Sequence, residues 1–237
     1  MKKIFDGTIS CKSVLESDRR QIFDLYVDPK KRSKDISYTI HLAKSKDIPI
    51  FFVERSQLDE LCHHTRHGGI ALKAGLRDNP SIPLLDGKYY AYVDGVEDPY
   101  NLGSVCRNLY ASGCEALILP KRDWSNSEEI ILKASAGAYE RMDIFFIENE
   151  QDLVISLKKA QIPLICAYRK DAENIYNYMF PERFCIAVGG ALRGLNKTIL
   201  QASHQNLFIP YGRPFRNALD TPSACAVIGF EILRQKS

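Results

Sequence analysis

No apolar run in these 237 residues reaches the roughly 18 that a membrane-crossing helix needs. The basic start, Met1-Lys2-Lys3-Ile4-Phe5-Asp6, has no apolar stretch behind it and so does not read as a secretory signal. Seven cysteines occur, at 11, 62, 106, 114, 166, 185 and 225, an odd number with no C-x-x-C pair. Several sit in apolar runs, which fits reduced thiols of a cytoplasmic protein better than a disulfide framework. Internal repeats and low-complexity tracts are absent, as is a G-x-G-x-x-G dinucleotide fingerprint. Gly189 and Gly194 have the spacing of the outer P-loop glycines, but Leu195-Asn196 stands where Lys and Ser or Thr belong. A nucleotide-dependent enzyme of the usual kinds is therefore poorly supported.

What is present is an ordinary globular composition, 45% hydrophobic and 26% charged, long enough to bury one large core or two modest ones. Its charge is uneven. Residues 1–78 carry 15 Lys and Arg against 11 Asp and Glu, while residues 79–237 carry 17 against 18. The run Lys30-Lys31-Arg32-Ser33-Lys34 concentrates the excess. A phosphate backbone would be drawn to such a surface, although a solvated loop has the same composition.

The hydrophobic pattern divides the chain into 1–78, a linker at 79–88 holding Pro80, Pro83 and Gly87, and 89–237. In the first part, 13–20 and 35–46 read as helices, 22–27 as a strand and 48–53 as a buried strand. Ser56 would cap a short helix to about residue 63, and Ile70 would begin a last strand. After the linker, strands at 89–93, 116–119, 144–147, 162–167, 184–188 and 207–209 alternate with helices at 101–112, 127–136 and 151–160, and 222–235 closes the chain as a helix. This alternation predicts an α/β fold, a parallel sheet with helices on both faces, preceded by a small α/β domain. Ligands of such sheets gather at the carboxyl ends of the strands.

Three loops there carry polar and glycine-rich sequence. In Asp94-Gly95-Val96-Glu97-Asp98-Pro99-Tyr100-Asn101-Leu102-Gly103, Asn101 can cap the following helix. Arg107 comes six residues later, and together they make either an anion site or simply a capped helix with an exposed arginine. The second loop, Val188 to Leu195, lets a ligand approach backbone at Gly189. The third runs from Ile209 through Arg213, Arg216, Leu219 and Asp220 to Thr221-Pro222, a good helix start.

In this order the loops resemble the signature motifs of the SpoU, or TrmH-type, branch of the SPOUT RNA methyltransferases. The pattern D-G-V-x-D-P-x-N-L-G-x-x-x-R is matched nearly letter for letter by Asp94 to Arg107, and the final motif by Ile209, Pro210, Leu219, Ala224 and Glu231. The first third is similar to the ribosomal-protein-like RNA-binding domain that often precedes it, including its H-x-G-I segment at His67-Gly68-Gly69-Ile70. The resemblance implies a C-terminal deep trefoil knot and S-adenosylmethionine held largely by backbone at Gly189, Ile209, Leu219 and Ala224. It implies a homodimer with the RNA site near the interface, and a catalytic Arg107 supported by Asn101. RNA contacts are expected at Lys30, Lys31, Arg32, His67 and Arg216. The reaction implied is methylation of a ribose 2′-hydroxyl, on ribosomal RNA rather than transfer RNA by a slight preference.

Four positions depart from the family pattern. Ala191 stands where a Glu is usual, and Ala218-Leu219-Asp220-Thr221-Pro222 where S-L-N-x-S is usual. Asp220 either supplies the missing charge beside Arg107 or merely caps a helix; alternatively the chain binds RNA, as in ribosome assembly, without modifying it. Cys62-His63-His64-x-x-His67 has ligand types but suits a helix end, so no metal is expected. Trp124, beside Lys121 and Arg122, could stack on a base or pack on the surface.

Overall fold

The computed structural model describes residues 1–78, 80–83 and 85–237; Asn79 and Leu84, both in the expected linker, lie outside the described residues. In chain order the first 78 residues form β1 (Lys2–Asp6), α1 (Thr8–Ser17), β2 (Ile22–Val27), α2 (Lys34–Ser45), β3 (Ile50–Phe52), α3 (Arg55–Cys62) and β4 (Ile70–Gly75). Then come β5 (Tyr89–Val93), α4 (Pro99–Ala111), β6 (Ala116–Pro120), α5 (Glu128–Ala134), α6 (Ala138–Arg141), β7 (Asp143–Ile147) and α7 (Glu150–Lys159). The chain closes with β8 (Leu164–Ala167), β9 (Ala172–Asn174), β10 (Phe184–Val188), α8 (Lys197–Gln201), β11 (Gln205–Phe208) and α9 (Thr221–Lys236). Two compact units result: residues 1–78 with 124–141, and 79–123 with 142–237.

The first unit carries a mixed sheet in the order β1-β4-β2-β3, in which only β2 and β3 run parallel. Leu25, Val27, Phe5 and Leu72 are buried and pack with Val14 and Leu15 of α1 and Ile36 and Ala43 of α2. Ser33 caps α2, accepting the Ile36 N–H at 3.1 Å. Segment 124–141 joins this unit through buried charge: the Arg20 guanidinium reaches Glu128 at 2.8 Å and also pairs with Glu140, with all three side chains at most 3% exposed. Phe5 lies under the same guanidinium, 4.5 Å from its ring centre. Gly137, at φ +85°, belongs there as well, since a Cβ would meet Ser13 Oγ.

Several expectations shift. The first helix begins five residues early, at Thr8, and ends three early, at Ser17, because Asp18 takes the left-handed conformation. Glu54, with Gln57 in a reciprocal capping box, starts α3 in place of Ser56. The expected buried strand at 48–53 shortens to the edge strand β3, on which Phe51 and Phe52 are exposed and Phe51 stacks on Tyr26 at 5.4 Å. Trp124 is buried.

The second unit has a wholly parallel sheet in the order β7-β6-β5-β10-β8-β11-β9. Alternate residues serve opposite faces. Tyr90, Tyr92, Cys185 and Ala187 point into a core with Leu153, Leu157 and Ile199 of α7 and α8. On the other face α9 packs against α4 and β10, and Gly229 permits the close approach: a Cβ there would lie 2.4 Å from Ser112 Oγ. Helices therefore cover both faces, as the alternation predicts.

The Arg20 network gives the first unit a sensitive test. Removing one member of a buried ion cluster leaves uncompensated charge, at a cost of about 3–5 kcal/mol. Arg20→Ala should lower unfolding free energy by that amount in urea titration; a loss of under about 1 kcal/mol, the scale of an exposed pair, would contradict it.

Candidate functional site

The site forms where the loops after β5, β10 and β11 meet at the carboxyl edge of the parallel sheet. Asp94 leaves β5 with its N–H on the Val188 carbonyl at 2.9 Å, and its carboxylate accepts the Asn196 N–H at 3.1 Å. Burial holds this carboxyl above the ordinary aspartate range, opposed by that N–H and helped by nearby Glu150. The first and second loops then touch backbone to backbone. A Cβ on Gly190 would lie 2.9 Å from the Gly95 carbonyl oxygen, and one on Gly189 would lie 2.4 Å from the Gly194 carbonyl carbon. The turn closes on itself with the Gly194 N–H donated to Gly190 at 2.8 Å. Thr221, the first residue of α9, donates its hydroxyl to the Gly189 carbonyl at 3.4 Å, which brings the third loop to the second.

These contacts enclose a cavity of about 280 Å³. Gly189, Ile209, Leu219 and Ala224, all expected to hold the cofactor, line it, with Arg216 at its rim. Val188, Leu195, Leu207 and Phe208 add apolar wall. The glycine cradle leaves backbone groups facing the space where side chains would otherwise fill it. A flat, partly apolar nucleoside suits such walls, and the donor set fits S-adenosylmethionine.

Arg107 and Asn101 are both on α4 and both exposed. The cap of α4 is Asp98, which accepts the Tyr100 N–H at 3.0 Å, with Pro99 at the first helical position; Asn101 is already inside the helix. The physical reason is Pro99, whose fixed φ starts the helix two residues before Asn101. Arg107 accordingly falls in the third turn and not the second. Six residues of helix turn a side chain through about 600°, so Asn101 and Arg107 point roughly 120° apart and are not neighbours on the helix. Asn108 on the same helix donates to the Pro222 carbonyl at 2.9 Å and ties α4 to the start of α9. Among the described residues Arg107 has no hydrogen bond or ion pair.

Asp220 is the N-cap of α9. One carboxylate oxygen accepts the Ser223 N–H at 2.8 Å and the other the Ser223 hydroxyl at 2.9 Å. Thr221 and Pro222 are thus the first two helical residues, and α9 begins one residue earlier than the sequence suggests.

In the first unit, Lys30, Lys31 and Arg32 are exposed on the loop leading to α2. His67 corrects an expectation: it is fully buried, with Nε2 2.8 Å from Asp59 and Nδ1 accepting the Gly69 N–H at 3.1 Å. It pins the turn into β4 and offers RNA no face. Gly69, at φ +85°, makes room for the basic loop, since a Cβ there would lie 2.8 Å from Lys31 Cβ. The sequence reading missed Arg169 and Tyr211, which also line the cavity; no motif marked either residue.

Comparison with known proteins follows the same division. The model of the SpoU rRNA Methylase family matches residues 88–228, and that of RNA 2'-O ribose methyltransferase substrate binding matches 7–78. A 23S rRNA (guanosine-2'-O-)-methyltransferase of Salmonella typhimurium is 24% identical over 244 residues, covering all of both chains. Its counterpart from Shewanella oneidensis is 26% identical over 246 residues, covering 100% of this chain and 99% of that one. Among solved structures, an AdoMet-bound rRNA methyltransferase from Sinorhizobium meliloti superposes with TM-score 0.79 at 16% identity, over 98% of this chain and 87% of that one. The SpoU methyltransferase AviRb from Streptomyces viridochromogenes gives 0.80 at 15%, over 99% and 90%. These likenesses show a shared fold.

If the glycine cradle forms the ligand site, Gly189→Ala should weaken S-adenosylmethionine binding by at least about tenfold, because the turn must shift to admit the methyl group. Isothermal calorimetry reads this directly, and unchanged affinity would mean the ligand lies elsewhere.

Proposed function

The chain belongs to the SpoU rRNA methylase family, and on that premise we propose that it transfers a methyl group from S-adenosylmethionine to a ribose 2′-hydroxyl of ribosomal RNA. The observation that carries this reading is the cavity at the ends of β10, β8 and β11, where Gly189, Ile209, Leu219 and Ala224 converge. Ribosomal RNA is the substrate class because the relatives matched over their full length are named for it.

When bound, S-adenosylmethionine supplies an electrophilic methyl on a sulfonium. The residues of this chain would have to hold the ribose hydroxyl in line with that methyl and help its proton leave. Little covalent help is needed; alignment and charge stabilisation dominate. Arg107 offers a planar fork of five donors and no acceptor, so its role is to clamp phosphate and stabilise the developing alkoxide. Asn101 supports the substrate from a different side of α4. Asp220 contributes negative charge at the head of α9 in addition to its cap, in place of the Glu that Ala191 replaces.

In this reading residues 1–78 are the RNA substrate-binding domain, 79–88 the linker and 89–237 the knotted methyltransferase domain. The trefoil knot is supported by the non-sequential order β10-β8-β11 and by the Thr221 contact that brings the last loop back to Gly189. Lys30, Lys31, Arg32 and Arg216 contact RNA phosphates. The protein is a homodimer through α4 and α9, which leave Tyr100, Tyr110, Phe230 and Leu233 exposed. A reducing cytoplasm suits its seven free cysteines, six of them buried. No helix among the described residues is long and apolar enough to cross a membrane.

Tritiated methyl transfer into total RNA from cells lacking the protein tests the activity. Arg107→Ala should lower incorporation by about 100-fold or more, with label in ribosomal-sized RNA; no incorporation by the unaltered chain, with RNA binding intact, would replace the enzyme with a binding protein. Asp220→Asn keeps a capping side chain and removes the charge, and should cost about tenfold in rate while cofactor binding persists. Unchanged turnover would leave Asp220 as a helix cap alone.

A further inference from the structure

The third loop, residues 209–220, has no regular secondary structure, yet it supplies Ile209, Tyr211, Arg216, Ala218 and Leu219 to the cavity. A long irregular segment is costly to order, and a ligand that must order it binds more weakly. In this chain the loop also lacks, at Ala218, a hydroxyl of the usual family motif. Something else has to hold it.

Arg169 does so from the loop after β8. Its Nη1 donates to the Arg216 carbonyl at 3.1 Å and its Nη2 to the Asn217 carbonyl at 3.0 Å. The guanidinium also lies over the Tyr211 ring, 4.7 Å from the centroid. Tyr211 completes the brace by accepting the Leu219 N–H on its hydroxyl at 3.1 Å, while its ring packs against Phe215 at 5.9 Å. One planar cation thus spans two successive carbonyls and stacks on the aromatic that fixes a third point of the same loop. β8 lies between β10 and β11, so Arg169 is anchored to a strand flanked by those that carry the second and third loops.

We propose that Arg169 is a positioning residue that preorganises the 209–220 loop as one wall of the S-adenosylmethionine cavity, with Tyr211 as its relay to Leu219. The identity of the ligand rests on the function proposed above; the bracing of the loop does not. Lysine cannot replace the arginine, because a point charge on a flexible stem neither forks across two carbonyls nor stacks flat on a ring.

Two measurements on the full-length chain test the proposal. The first is hydrogen–deuterium exchange without ligand. Arg169→Ala and Arg169→Lys should both speed exchange of amides in 211–219, Leu219 included, and leave the β5 and β10 amides unchanged. The second is calorimetry with S-adenosylmethionine, where both variants should bind about tenfold more weakly, and Tyr211→Phe should lose a smaller factor in the same direction. Unaltered loop exchange overturns the brace, and recovery of affinity by Arg169→Lys would show that charge alone matters. If the unaltered chain bound no S-adenosylmethionine, the functional reading would fall and the exchange result would still decide the role of Arg169.

Discussion

The site depends on one constraint, the contact of peptide backbone with peptide backbone between the loops after β5 and β10. Gly190 lies against Gly95, and Gly189 against the Gly194–Leu195 peptide, at separations no Cβ could share. Side chains at these positions would meet the backbone of the facing loop and hold the loops apart. Everything nearby follows from that approach: the Asp94 carboxylate reaches the Asn196 N–H, Thr221 reaches Gly189, and α9 starts where its first turn can meet α4 through Asn108 and Pro222. The parallel sheet brings the loops to one edge, but glycine determines how closely they meet.

Much of this was legible in the sequence, for physical reasons that can be named. Strands buried on both faces leave uninterrupted apolar runs, so β5 and β10 emerge with their observed bounds. Gly189, Ile209, Leu219 and Ala224, which line the cavity, emerge because they belong to the motifs that the loops match. What stayed hidden lacked such a signal. β9 is three residues of Ala-Glu-Asn, with no apolar alternation to mark it. β1 opens on two lysines and pairs with β4, some seventy residues away in sequence, so nothing local marks it as a strand. Asp98 and Asp220 cap helices that the neighbouring Asn101 and Thr221 could equally have begun; Pro99 marks the first start, but only the Asp220 carboxylate on the Ser223 N–H, a contact of the folded chain, fixes the second.

His67 shows how a motif can be matched and its role misread. The segment His67-Gly68-Gly69-Ile70 suggests an RNA contact, but the imidazole turns inward to Asp59 and the Gly69 N–H. Its effect on the basic loop is indirect. By fixing the turn it seats Gly69 against Lys31, and so holds Lys30, Lys31 and Arg32 at the surface as a group. A structural histidine and an RNA-binding loop can thus share one sequence signature.

The arginines divide the molecule by the work they do. Arg20 is buried with two glutamates, and its guanidinium is spent on holding segment 124–141 to the first unit. Arg169 is exposed, yet three contacts commit it to the third loop. Arg107 is exposed without an ion pair or hydrogen bond among the described residues. A long side chain with five donors gains nothing for the fold in that state. Its donors remain available for an anion that arrives with the substrate, which an arginine already satisfied by the protein could not offer. That contrast separates Arg107 from the arginines that build the protein and fits the role proposed for it; Arg32, Arg193, Arg213 and Arg216 are exposed in the same way, so it is the place of Arg107 in the first motif that singles it out.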